Sequence, residues 1–162
     1  MANSYSNYKI IEVTPTLSTN EYVSGDALFN KQEIPNAVIG NGGCSELISL
    51  CVTSKKAAII AQVVYFMQAN QSVAAANDAM NVSASDGADA KFLGFNLCTA
   101  DLWADLGNFV FYSHKIAEND SSLPIMLQAE PGSTSVYFFA SILGTQTYAA
   151  SDLTYRFGIR LK

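Results

Sequence analysis

Charge is what this sequence is most short of. Only 14% of its 162 residues are Asp, Glu, Lys or Arg, 14 acidic against 9 basic, where an ordinary soluble domain carries about 25%. With a net charge of -5 it lacks the clustered Lys and Arg that displace counterions from a phosphate backbone, so nucleic acid is excluded as a partner. Histidine is scarcer still. His114 is the only one, so one chain cannot build a metal site of several imidazoles, and a Ser-His-Asp arrangement has a single possible base and no G-x-S-x-G partner. Cys44, Cys51 and Cys98 are an odd number of thiols. None sits in a C-x-x-C pair and each lies in an apolar stretch, so buried thiols are expected in preference to disulfides. The longest apolar run, Ala57 to Met67, spans eleven residues, about half of what a bilayer-crossing helix needs, and no membrane partner is expected. Met1 to Tyr8 lacks a basic start and an apolar stretch, as a product made in the cytoplasm would. The sequons at Asn70, Asn81 and Asn119 then read as chance matches.

What is present is apolar material, 49% of residues with a mean hydropathy of +0.16. It is dealt out in short runs with period-two alternation, separated by Gly, Asn, Ser and Asp. That pattern predicts an all-β, antiparallel sandwich or barrel of about nine strands. The candidates are Tyr8 to Val13, Ala27 to Ile34, Ala37 to Ile39, Cys44 to Thr53, Ala57 to Gln68, Lys91 to Cys98, Asn108 to His114, Leu123 to Gln128, Thr134 to Ser141 and Thr154 to Lys162. In the last, Tyr155, Phe157, Ile159 and Leu161 alternate with Thr154, Arg156, Gly158, Arg160 and Lys162, giving one buried and one solvated face. Asn41-Gly42-Gly43, Ser54-Lys55-Lys56 and Pro131-Gly132 predict local hairpins. Ala69 to Ala90 reads as a long loop with a short helical turn around Ala84 to Ala90. Residues 1–7 read as a flexible arm ahead of a single domain over 8–162.

The run from Ala57 to Met67 is unusual because both alternating sets are apolar. Ile59, Val63, Tyr65 and Met67 lie on one, Ile60, Val64 and Phe66 on the other. In a sandwich the second side must be covered, either by the Ala69 to Ala90 segment or by another subunit. Val64, Tyr65 and Phe66 are therefore candidate interface residues, together with Tyr148 and Trp103. Trp103 is either a surface anchor or a plug for one end of the sandwich.

Chemistry has little to stand on. His114, closing an aromatic strand, reads as a surface or capping residue. Asp86 with Asp89 and Asp101 with Asp105 do not match a twelve-residue calcium loop, and Gly40-Asn41-Gly42-Gly43 lacks the lysine and helix of a phosphate cradle. No catalytic residue, metal ligand or cofactor site is expected, and the protein is not expected to be an enzyme.

Several phrases carry a resemblance. Thr16-Leu17-Ser18-Thr19-Asn20-Glu21-Tyr22-Val23-Ser24-Gly25-Asp26-Ala27-Leu28 looks like the phrase "TLDTSAYASGDVL" of head decoration, or cement, proteins of tailed bacteriophages. Ser133 to Tyr137, Gly144 to Tyr148 and Ser151 to Thr154 resemble "STSLY", "GTPTY" and "SDLTL" in the same order, and Asn77-Asp78-Ala79 and Ser85 to Asp89 match loosely between. Gln146 stands where the family phrase has proline, which removes a φ restraint from that turn. The resemblance implies a jelly-roll-like β-sandwich that sits as a homotrimer on the outer surface of a virion. It would bind the major capsid protein and itself and stabilise the shell without catalysing a reaction. The alternative is a receptor- or carbohydrate-binding head protrusion that stacks sugar rings on Trp103 or tyrosines.

Overall fold

A computed structural model describes residues 7–115 and 122–162. Its strands, in chain order, are β1 (Tyr8–Val13), β2 (Glu21–Tyr22), β3 (Ala27–Ile34), β4 (Cys44–Ser54), β5 (Gln62–Met67), β6 (Phe92–Cys98), β7 (Trp103–Asp105), β8 (Val110–Lys115), β9 (Ile125–Gln128), β10 (Val136–Ile142), β11 (Gln146–Thr147) and β12 (Leu153–Leu161). One helix, α1 (Ala84–Ala90), interrupts them. No helix among the described residues is long and apolar enough to cross a membrane.

All pairings are antiparallel, and they make a two-sheet sandwich. One sheet runs β1-β12-β4-β8-β7, with β9 sharing β4's edge with β8; the other runs β3-β10-β5-β6. A two-stranded ribbon joins β2 to β11. Among the eight longer strands, β1-β12-β4-β8 faces β3-β10-β5-β6. The first and last strands pair and most connections cross from sheet to sheet, which is the jelly-roll order. The expected local hairpins are therefore not what the turns make. Ser54-Lys55-Lys56 leads from β4 to β5 and Pro131-Gly132 from β9 to β10, each pair lying in opposite sheets. A short polar break looks the same in sequence whether the chain reverses within a sheet or turns a corner. At these breaks both following strands, β5 and β10, are aromatic enough to need the opposite sheet.

Strand limits move for the same reason. Ala57 to Ala61, expected to begin a strand, instead carries the chain across, with Lys55 N–H donating to Asp152 O (2.9 Å) and Leu143 N–H to Ala61 O (2.9 Å). Ala37 to Ile39 is a bend with buried Ala37 and Val38. There a Cβ on Gly43 would stand 2.0 Å from Ile39 O, so only glycine fits that corner. The helical turn forms where expected, because Ser83 caps it, accepting from Asp86 N–H at 3.1 Å. Asn7 is not part of a free arm; its carbonyl accepts from Leu161 N–H at 2.7 Å. Residues 1–6 and the sequon at Asn119 lie outside the described residues.

The core is an aromatic seam between the sheets. Tyr155 and Phe157 of β12 meet Phe29, Phe138 and Phe66 from β3, β10 and β5, with Phe138 4.7 Å from Phe157, Phe29 5.3 Å from Tyr155 and Phe66 5.9 Å from Phe157, ring centre to ring centre. All five rings are essentially inaccessible. The Tyr155 hydroxyl donates to Gln62 Oε1, so even the polar tip is satisfied inside. Replacing Phe157 by Ala removes a ring touching both sheets and should cost about 3–5 kcal/mol in urea unfolding. A loss under about 1 kcal/mol would show that the seam is not the core.

Candidate functional site

The residues that could have carried chemistry are turned inward. His114 is buried, not the surface or capping residue expected: its Nδ1 lies 2.7 Å from the Tyr112 hydroxyl and 3.1 Å from Asn96 Oδ1. Asn96 Nδ2 donates to Tyr112 Oη (2.8 Å) and Ser122 Oγ donates to Asn96 Oδ1 (2.9 Å). With the amide so oriented, Nδ1 donates to Asn96 Oδ1. This cluster joins β6 to β8 across the sandwich and serves to solvate Asn96 inside the protein. Among the described residues no three of His, Cys, Asp or Glu come together as a metal would need.

Cys98 belongs to the same buried layer, and burial pushes its thiol up to about 12 against the opposing hydrogen bond from Asn96. Cys44 and Cys51, expected buried, are half-buried. Leu50 and Val52 take the inward positions of β4, which leaves Cys51 outward between them. Burial still raises its thiol.

Of the five interface candidates, four are withdrawn from solvent. Val64 and Phe66 are fully buried on the seam side of β5, so neither meets a partner while the domain is folded. Trp103 is 8% exposed and packs on Tyr112 at 5.9 Å, which is the plug and not the surface anchor. Tyr148 is buried edge-on against Tyr22 at 6.1 Å, and burial raises its hydroxyl pKa, with Asp152 adding to the shift. Tyr65 alone lies on the outer face of its sheet. It stacks on Phe139 at 4.8 Å and faces Phe95 at 6.3 Å.

That outer face is the candidate site, and the residues that expose it were not singled out from sequence. Strand β6 has inverted polarity: Asn96 and Cys98 point into the core while Phe95 (56% exposed), Phe92 (45%) and Leu97 (42%) stand in solvent. Alternation alone assigns the Leu-Phe set of this strand to the core. The available signal was the two-faced apolar run that becomes β5, since β6 is its neighbour. The segment after β5 covers part of the face: Met80 and Val82 come down beside Tyr65, Phe92, Phe95 and Phe139 and leave a shallow apolar groove of about 290 Å³. Covering by the chain itself is thus half achieved.

No protein-family model matches this chain, and no curated protein matches it. Among solved structures, the infectious bursal disease virus VP2 subviral particle is similar at a TM-score of 0.28 and 11% identity, over 98% of this chain and 41% of that one. A superposition this loose carries no argument, and the chain spans under half the length of that structure.

The opposite outer face differs in kind. On the β1-β12-β4 sheet Glu12 pairs with Arg156 (3.2 Å), and Glu46 is held by Arg160 and Lys162. A second groove opens there over Gly158, between Tyr8, Ile10 and Ile48, beside Lys9. By contrast β5, β6 and β10 contain no charged residue.

Two measurements follow. Hydrogen bonds from Lys162 and then Arg160 hold the Glu46 carboxyl below its ordinary value. Its contribution is therefore present above the usual glutamate range near pH 4.3 and is lost as pH falls through the lowered value. In acid titrations of stability, Glu46→Gln should flatten that stretch of the curve; an unchanged slope would show that the ion pairs are idle. Iodoacetamide near neutral pH should modify Cys44 in the native protein and spare Cys98 until unfolding, read by peptide mass spectrometry.

Proposed function

We propose that this chain is a non-enzymatic structural protein of a virion, binding the outer surface of a capsid shell and itself as a decoration protein of the tailed-bacteriophage type. The observation that carries the reading is the charge-free aromatic face over β10, β5 and β6, with Phe92, Phe95 and Leu97 in solvent beside an inward Asn96. Exposed rings around an open apolar groove favour whatever covers them, by roughly 25 cal/mol for each Å² removed from water. A fold alone does not assign a job, and jelly rolls serve viral capsids and lectins alike. The setting therefore rests on the resemblance.

The opening and closing phrases that carry that resemblance meet in space. Strand β2 pairs with β11, Leu17 N–H donates to Ala150 O (3.0 Å), and Ile142 N–H donates to Asp26 O (3.0 Å). Gly25, at φ +97°, and the Asp26 carboxylate, which accepts from Val23 N–H at 2.8 Å, build the turn between them. Thr16 to Leu28, Gly144 to Tyr148 and Ser151 to Thr154 thus describe one corner of the fold, whereas Ser133 to Tyr137 lies at the other end of β10, against Ile34 and Glu33. Gln146, in place of the family's proline, pairs opposite Tyr22 in the β2–β11 ribbon.

Mechanism in this reading is linkage. A protein that binds the expanded shell and not its disassembled parts stabilises the shell by mass action, and modest affinity repeated over many identical sites suffices. The protein would be made in the host cytoplasm and act on the virion surface. The glycan-binding alternative loses Trp103 and Tyr148 as stacking residues, because both are buried, and keeps the exposed Tyr8 and the outward Tyr65.

Adding the purified chain to expanded, undecorated capsids should raise their melting temperature in calorimetry, in proportion to occupancy. Unchanged melting with no co-sedimentation would remove this reading. Binding on a glycan array would favour the alternative.

A further inference from the structure

The sandwich has five exposed strand margins, and four of them carry the features that keep sheets from adding strands to one another. Strand β1 carries Lys9 and Glu12. Strand β3 carries Lys31 and Glu33, and residues 77–78 already bond to its start, Asn77 N–H to Ala27 O and Ala27 N–H to Asp78 O, both 2.8 Å. Strands β7 and β9 are three and four residues long, and Pro124 stands just ahead of β9. Strand β6 is seven residues long, ends its sheet, and contains no proline and no charge; a register shift at Leu93 breaks its start, and residues 94–98 pair with β5 in unbroken register. Among the described residues, no strand pairs with its outer edge. Outside β5 pairing, its Leu97 carbonyl accepts from the Tyr112 hydroxyl at 3.3 Å, and the Asn96 side chain bonds inward to Tyr112.

We propose that β6 is a self-association edge, where a second copy of this chain adds its own β6 antiparallel across a two-fold axis and joins two four-stranded sheets into one of eight. This deepens the functional reading above by naming a partner for the same face. The second copy is the occupant the page favours for two reasons. Among the described residues the other four margins of the sandwich are guarded, so β6 is the margin of a second copy open to pair with it. Each chain carries a net charge of -5, and β6 with its neighbours β5 and β10 is charge-free, so this approach avoids like-charge contact. Antiparallel self-pairing also sets Phe95 and Leu97 beside their mates on one face, where aromatic and aliphatic cross-strand pairs are favourable. The interface is isologous and closed, which ends growth at two chains instead of making a fibre.

Sedimentation equilibrium of the full chain tests this. The expected mass is twice 17.4 kDa, falling twofold on dilution and, at concentrations where the wild type is paired, on either Phe95→Lys or Leu97→Lys. Both side chains are exposed, so folding should survive, and circular dichroism checks that it does. Ile10→Lys, on the opposite sheet, should leave the mass doubled. Amide exchange over Phe92 to Cys98 should slow as concentration rises. A single-chain mass at every concentration, a doubled mass that persists in both lysine variants, or concentration-independent exchange in β6 would overturn the pairing. A mass of three chains would replace it with the trimer that the sequence resemblance implies. Capsid melting raised by a strictly monomeric chain would sink this proposal and leave the shell-binding reading standing. A dimer that ignores capsids would do the reverse.

Discussion

The whole structure depends on two rings of one strand. Tyr155 and Phe157 stand on the inner face of β12, and Phe29, Phe66 and Phe138 from three strands of the opposite sheet close on them. Because β12 pairs with both β1 and β4, the seam ties the two ends of the chain to its longest strand and then to the second sheet. Aromatic contacts at these spacings add to simple area burial. The jelly-roll crossings at residues 55–61 and 129–135 are tolerable because each delivers an aromatic strand to this seam.

Once the inner faces are committed, the outer faces are what distinguish this molecule. Outside β1, β12 and β4 the sparse charges are paired, Glu12 with Arg156 and Glu46 with Arg160 and Lys162. The exposed Glu12–Arg156 pair contributes little to stability, but these charges keep water as the natural neighbour of that face. On the outer face of β5, β6 and β10 these strands supply no charge to do so. The folded segment after β5 brings Met80 and Val82 over Tyr65 and Phe139 and stops short of Phe95 and Leu97. Association rests on this asymmetry between two faces of one sandwich, and the polar cluster at His114 supports it by giving Asn96 partners inside, which lets Phe95 and Leu97 face out.

Much of the fold was legible residue by residue. Alternation in β12 identifies Phe157 as core, the Ala69 to Ala90 stretch shows a helical turn where α1 forms, and the two-faced apolar run announces that one outer face cannot rest in water. The placement of individual interface residues was not legible. Val64 and Phe66 belong to the same run as Tyr65, and nothing local says which set meets the seam. Trp103 reads equally as anchor or plug until Tyr112 is brought beside it. His114 reads as a surface residue because its partner Asn96 is distant in sequence.

Composition and period-two patterning by themselves determined an all-β, antiparallel, sparsely charged chain with more apolar surface than one core requires, since those properties are summed over neighbours along the chain. Tertiary structure alone decided which strands cross between sheets, which side of β5 is sealed, and that β6 turns its phenylalanine out and its asparagine in. The reason is that a strand's polarity is set by what lies across the sandwich. For β6 the opposing residues are Tyr112 and His114, whose polar atoms repay the burial of Asn96.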